Sequence, residues 1–127
     1  MSAMKALPVE SLPLRGKVVL DLSRALAGPY CAQILSDLGA EVIKVEQPGR
    51  PDDMREWAPF DQGLGIYFSV ANRNKKCVTL NLADEEGRAL FLKLVAKADV
   101  VIENYKHGVL HKLDLAFETL RKAHPGI

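Results

Sequence analysis

One stretch, Val18 to Tyr30 (VVLDLSRALAGPY), constrains this chain more than any other. Val18 to Leu22 reads as a first strand, opening on a continuous apolar run of the kind a strand buried on both faces needs. A short loop of small and polar residues follows, and Gly28-Pro29 then opens a helix. Proline suits a first helical position, where an N–H would have no intrahelical partner. A strand that feeds a helix through a tight loop leaves backbone N–H groups unpaired at the helix start, a place that favours an anion such as phosphate. The unit points to an α/β architecture, which many unrelated proteins share.

The rest of the chain repeats the pattern. Cys31, Ile34, Leu35 and Leu38 fall at i, i+3, i+4 and i+7, predicting one apolar helical face with Gly39 as its stop. Val42 to Glu46 reads as a second strand and completes a βαβ unit. Gln47 to Gln62, with Pro48, Gly49, Pro51 and Pro59, reads as a long loop, functional or mobile, with Trp57 anchoring it or a subunit contact. Gly65 to Ala71 reads as a short helical turn bearing Tyr67 and Phe68, and Cys77 to Leu82 as a third strand. Asp84 is placed to N-cap a helix with Glu85 and Glu86 in its first turn, and Phe91, Leu94, Val95 and Ala98 give that helix its apolar face. Val100 to Ile102 reads as a fourth strand. Leu113, Ala116, Phe117 and Leu120 predict a last amphipathic helix closed by His124-Pro125-Gly126.

The fold expected is therefore α/β, a Rossmann-like, open and mostly parallel sheet with flanking helices. Pro125-Gly126 before apolar Ile127 resembles a loop entering another strand, so the sheet reads as truncated on its C-terminal side. Residues 1–14, with Pro8 and Pro13, read as a flexible N-terminal arm, and residues 15–127 as one domain.

A net charge of +1 gives no global reason to expect nucleic acid or an acidic membrane as partner. No apolar run approaches the ~20 residues of a membrane span, and the N-terminus lacks the apolar core of a signal peptide. Cys31 and Cys77 are too few for a disulfide framework and read as buried thiols, in keeping with a cytoplasmic setting. His107, His111 and His124 show no ligand spacing with carboxylates or cysteines, so no metal is expected.

Several long segments, in order and in register from Leu14 onward, resemble the N-terminal part of the class III CoA-transferases. They are Val19 to Pro29, Asp37 to Glu46, Tyr67-Phe68 with Asn72 to Lys76, and Ala98 to Tyr105 followed by Gly108-Val109-Leu110. That family includes formyl-CoA and carnitine CoA-transferases and the related α-methylacyl-CoA racemases. The resemblance implies an enzyme that moves CoA from an acyl-CoA to a small carboxylic acid, with CoA as substrate and no tightly bound cofactor. It implies an Asp nucleophile passing through a mixed anhydride to an aspartyl-CoA thioester. In the family that Asp lies in a later segment, so Asp21, Asp52, Asp53 and Asp99 are not assigned the role, and these 127 residues alone are expected to be inactive. The racemase branch likewise takes its acid and base from later residues. Family members form interlocked homodimers, which implies apolar surface and poor solubility for this piece in isolation.

By position, the resemblance carries CoA contacts to Ala25, Leu26, Gln47, Leu80, Asn104, Tyr105, Lys106 and Lys112. All but Leu80 sit just past predicted strand ends or on the following helix, where ligands of open α/β sheets collect. Gln47 and Lys112 stand where the formyl-CoA branch has arginines; Lys112 keeps the charge without the planar fork, and Gln47 loses both. Arg73, Lys75 and Lys76 form a basic cluster suited to phosphate. Each has a plainer reading beside it. Ala25 and Leu26 also suit packing, Tyr105 a core aromatic, Glu103 the orientation of a neighbouring backbone, and Lys112 and the basic cluster solvated charge.

Two further readings compete. One is a binding module without chemistry, for CoA or for a dinucleotide whose ribose Glu46 would hold. Against the dinucleotide, the first loop has Gly28 where three glycines are needed. The other is an inactive truncated fragment.

Overall fold

A computed structural model describes residues 8–127. Four parallel strands, β1 (Val18–Asp21), β2 (Glu41–Glu46), β5 (Lys76–Thr79) and β6 (Val100–Ile102), form one sheet in the order β5-β2-β1-β6. Helix α1 (Ala27–Asp37) links β1 to β2, and α3 (Glu85–Val95) links β5 to β6. Between β2 and β5 lie a 3₁₀ turn (Asp53–Glu56), a two-residue hairpin of β3 (Phe60–Asp61) and β4 (Leu64–Gly65), and α2 (Ile66–Asn72). Two short helices, α4 (Val109–Lys112) and α5 (Phe117–Ala123), follow β6. The chain moves outward from β1 through β2 to β5 and then returns to the other side of β1. The order reverses between β1 and β6, the kind of point at which open α/β sheets leave a crevice.

Strand residues alternate between faces. Leu20, Leu22 and Val45 pack with Leu82, Phe91, Val95, Ala98, Leu115 and Leu120 under α3 and α5. On the opposite face Val19 and Val42 meet Ala32 and Ala40 beneath α1, with Leu14 and Leu35 alongside. Toward the carboxyl ends that second face turns charged. Asp21, Lys44 and Glu46 are all buried there.

Several expectations are corrected. Helix α1 begins at Ala27, so Pro29 occupies its third position, still within the turn that lacks N–H partners. Its buried residues are Gly28, Pro29, Ala32, Gln33 and Ser36, while Leu26, Tyr30, Ile34 and Leu38 are exposed. Of the predicted stripe, Cys31, Ile34 and Leu38 thus face away from this sheet and Leu35 alone packs beside it, because the sheet's charged end takes a small, polar helix face. Gly39 stops the helix as expected: its φ is +102°, and a Cβ there would come within 2.6 Å of Leu12 Cβ.

Residues 8–14, expected as part of a flexible arm, lie against the domain; the Leu14 N–H donates to the Leu38 carbonyl (3.0 Å). Residues 1–7 of that arm lie outside the described residues. The 47–62 loop is pinned by Met54 and Asp52, 0% and 1% exposed, whereas Trp57 is 42% exposed and anchors little. Asp84 holds the N-cap position of α3 without a side-chain cap, its carboxylate instead taking the Asn81 amide (2.7 Å). The predicted last helix is broken by Asp114, at φ +54°, and the buried residue there is Leu115; Phe117 is exposed. Both cysteines are exposed rather than buried.

Candidate active site

The carboxyl ends of β1, β2 and β6 are joined by side chains. After β1, Ser23 gives its N–H to Asp21 Oδ1 (2.9 Å), and its hydroxyl donates to the same oxygen. Asn104, after β6, brackets Arg24 with two bonds: Arg24 N–H to Asn104 Oδ1 (2.9 Å) and Asn104 Nδ2 to the Arg24 carbonyl (2.7 Å). The Arg24 guanidinium reaches the Pro51 carbonyl and Asp53, both at 2.8 Å, in the loop after β2. Ala25 sits at φ +60°, a left-handed conformation that costs a residue with a Cβ roughly 1–2 kcal/mol. Its N–H donates to Asp52 Oδ1 (3.0 Å). Gly28 packs against Ser23 so closely that any Cβ would overlap it.

Beneath this loop lies a buried charge network. Lys44, 1% exposed, pairs with Asp52 Oδ2 (2.8 Å) and donates to the Ser23 carbonyl (2.9 Å). Lys75 pairs with Asp21 (2.8 Å) and donates to the Pro29 carbonyl and Asn72 Oδ1. Burial lowers the Lys75 pKa, and Asp21 opposes that shift. Two cations beside two carboxylates leave the network neutral, which is what makes such burial tolerable.

Glu46 forms a second cluster. It takes two bonds from Arg55, the Asp52 N–H (2.8 Å) and the Cys77 thiol (2.9 Å). Burial opposes its ionisation, but the Arg55, Asp52 and Cys77 bonds together with the Arg55 charge bring its pKa from 4.5 down to about 2. Burial and the facing carboxylate push the Cys77 thiol up to about 11. With its carboxylate so engaged, Glu46 has no free oxygen to offer a ribose, which counts against a dinucleotide site. Among the described residues no group of three or more His, Cys, Asp or Glu side chains is arranged to hold a metal ion.

Three residues expected to contact CoA meet here. Gln47, Leu80 and Tyr105 line one crevice of about 180 Å³, with Val45 as floor and Leu82 and Leu113 as walls. Leu80 lies one residue past the end of β5, its N–H on the Glu46 carbonyl (3.0 Å), so it too sits at a strand end rather than within a strand. Gln47 and Tyr105 also border an adjoining hollow with Arg24 and Arg50. Tyr105 is half-buried against the core and at the same time walls the crevice, so its two readings coincide. Its N–H donates to Glu103 (2.8 Å), the backbone-orienting role weighed for that carboxylate. Lys106 borders a separate hollow on the far side of Tyr105 with Glu103 and His107.

The other candidates are placed differently. Asn104 is occupied in holding Arg24. Leu26 is 55% exposed at the start of α1. Lys112, at the end of α4, is exposed and lines none of these hollows. Arg73, Lys75 and Lys76 are not brought together as a phosphate cluster: they pair with Asp37, Asp21 and Glu41 respectively. The sequence reading missed Lys44, Asp52 and Arg24. A lysine inside the apolar run Val42 to Val45 was the available signal, since such a charge needs a buried partner.

Comparison with known proteins gives the family. The model of "CoA-transferase family III" matches residues 14–127. The chain is 46% identical over 113 residues to an acetyl-CoA:oxalate CoA-transferase of Acetobacter aceti, covering 89% of this chain and 29% of that protein. It is 47% identical over 116 residues to a succinyl-CoA:glutarate CoA-transferase of Mus musculus, covering 91% and 27%. A crystal structure of a Mycobacterium tuberculosis protein superposes with a TM-score of 0.85 at 43% identity, covering 92% of this chain and 32% of that one. A CAIB/BAIF family protein from Brucella suis gives 0.81 at 48% identity, covering 87% and 30%. The chain thus spans less than a third of the length of these relatives. It belongs to CoA-transferase family III.

Proposed function

We propose that these residues form the N-terminal part of the CoA-binding domain of an enzyme that transfers CoA from an acyl-CoA to a carboxylic acid. The observation that carries this reading is the convergence of Gln47, Leu80 and Tyr105 on one crevice at the carboxyl ends of the strands. The crevice is largely apolar, suited to the neutral arm of CoA, and Arg24 and Arg50 border the hollow beside it, where phosphates would find cations. Ala25, Leu26, Asn104, Lys106 and Lys112 are proposed as its further contacts or supports.

The chemistry proposed uses an Asp carboxylate outside these residues. That carboxylate attacks the thioester carbon and expels CoA thiolate, forming a mixed anhydride. The thiolate then attacks the aspartyl carbonyl, releasing the donor's carboxylate and leaving an aspartyl-CoA thioester. The acceptor carboxylate reverses the two steps and leaves as the new acyl-CoA. The role of the residues described here is to hold CoA while its thiolate waits between steps. Because the relatives named above act on oxalate and glutarate, a short dicarboxylate is the proposed acceptor class. The exposed row Leu26, Tyr30, Ile34 and Leu38 supports a homodimer, since such a row favours cover by further protein.

The test is to incubate the full-length enzyme with succinyl-CoA or acetyl-CoA and a panel of mono- and dicarboxylates, reading new CoA thioesters by mass spectrometry. New thioesters with a dicarboxylate are expected. Binding of CoA without exchange on any acid would leave the non-catalytic module standing instead.

A further inference from the structure

We infer that Asp52 is a positioning residue for the loop Arg24 to Leu26, and that buried Lys44 orients it; the inference rests on the reading of that loop as part of the CoA site. Asp52 Oδ1 accepts from the Ala25 N–H (3.0 Å) and the Met54 N–H (3.1 Å), while Oδ2 pairs with Lys44 (2.8 Å). The Asp52 N–H is itself held by Glu46 (2.8 Å), so the residue is fixed through both backbone and side chain. Lys44 also donates to the Ser23 carbonyl (2.9 Å). The backbone on both sides of Arg24 therefore ends on one buried pair.

Stability alone does not require this arrangement. A buried ion pair is often replaced by apolar residues of similar volume without loss. An apolar pair would, however, offer no acceptor to the Ala25 N–H, and Ala25 is the loop residue in the unfavourable left-handed region, at φ +60°. Without Asp52, Ala25 relaxes toward the extended or right-handed regions. That shift re-aims Leu26 and the first turn of α1 relative to the crevice wall at Tyr105. Asn104 does not substitute for it, because its two bonds end on Arg24 and leave Ala25 free.

The test is a titration of coenzyme A into the full-length enzyme and its variants, with folding checked by circular dichroism. Asp52→Ala is expected to weaken CoA about tenfold, the factor that corresponds to the cost of the left-handed conformation. Adding Ala25→Gly to Asp52→Ala is expected to restore most of the affinity, since glycine takes positive φ freely. A merely structural Asp52 would not be rescued in this way. Folded Asp52→Ala with unchanged affinity, or a double variant no tighter than Asp52→Ala, overturns the inference.

Should Asp52→Ala not fold, Lys44→Met with Asp52→Leu replaces the buried pair by apolar side chains and leaves the Ala25 N–H without its acceptor. This pair is expected to weaken CoA about tenfold, and unchanged affinity overturns the inference. Hydrogen exchange of the Ala25 amide without CoA separates the two readings. If the original protein does not bind CoA, the CoA reading fails. Faster Ala25 exchange in a folded Asp52 variant still supports the clamp, and unchanged exchange refutes it.

Discussion

The two faces of the sheet use the same strands for opposite purposes. Toward α3 and α5, Leu20, Leu22 and Val45 meet Phe91, Val95 and Leu120 in an apolar layer. Toward α1 and the 51–55 loop, the next residues along the same strands are Asp21, Lys44 and Glu46, each with a fixed partner. The first face is non-directional and holds the fold through buried area. The second is directional and fixes where the loops stand. The carboxyl end of the sheet is thus built from paired charges rather than apolar burial.

The largest effect expected is the contrast between two methionine substitutions. Lys44→Met leaves Asp52 buried without its cation and should cost about 3–5 kcal/mol. Leu20→Met, on the apolar face and equally buried, should cost less than about 1.5 kcal/mol. Urea denaturation of the two variants measures both. Equal losses would erase the distinction between the faces.

Acid should act next, and on the charged face. The Glu46 pKa is about 2 when folded against 4.5 otherwise, so its contribution is complete above about 4.5 and fades as pH falls toward 2. Stability measured across that range should fall in the parent, and Glu46→Gln should flatten part of the slope. A slope unaltered in Glu46→Gln would mean that Glu46 is not held as described.

Cys77 offers a smaller, local probe. Although exposed, its thiol is pushed up to about 11, so maleimide or iodoacetamide labelling at pH 8 should be slow and should accelerate as pH approaches 11. Replacing Glu46 by Gln should speed it at pH 8. The smallest effect belongs to the surface. The Lys76–Glu41 pair has side chains 72% and 48% exposed, and Lys76→Ala should change stability by no more than about 1 kcal/mol.

Much of this was legible from residue patterns. The parallel four-stranded sheet follows from three apolar runs and the alternating segment Cys77 to Leu82, separated by helical periods, and Gly39 stops its helix as its position implies. The helix α1 face was not legible, because the period that marks an apolar stripe says nothing about which partner covers it. Ile34 and Leu38 obey the pattern and still point outward. The last helix misled for a related reason: Asp114 adopts a left-handed turn that no periodicity announces, and Leu115 rather than Phe117 fills the core. Gln47, Leu80 and Tyr105 are expected as contacts through family likeness alone, and strand-end geometry brings the three to one crevice. The Lys44–Asp52 pair was not found, since the two lie on different elements and only the folded chain makes them neighbours.

The central claim is that coenzyme A lies in the crevice walled by Gln47, Leu80 and Tyr105. Calorimetric titration of coenzyme A into the full-length enzyme and its Gln47→Glu variant tests it most directly. A carboxylate in that crevice, near the proposed phosphate positions, should weaken binding at least tenfold while leaving the fold intact. Identical affinity in the two proteins would place coenzyme A elsewhere and contradict the account.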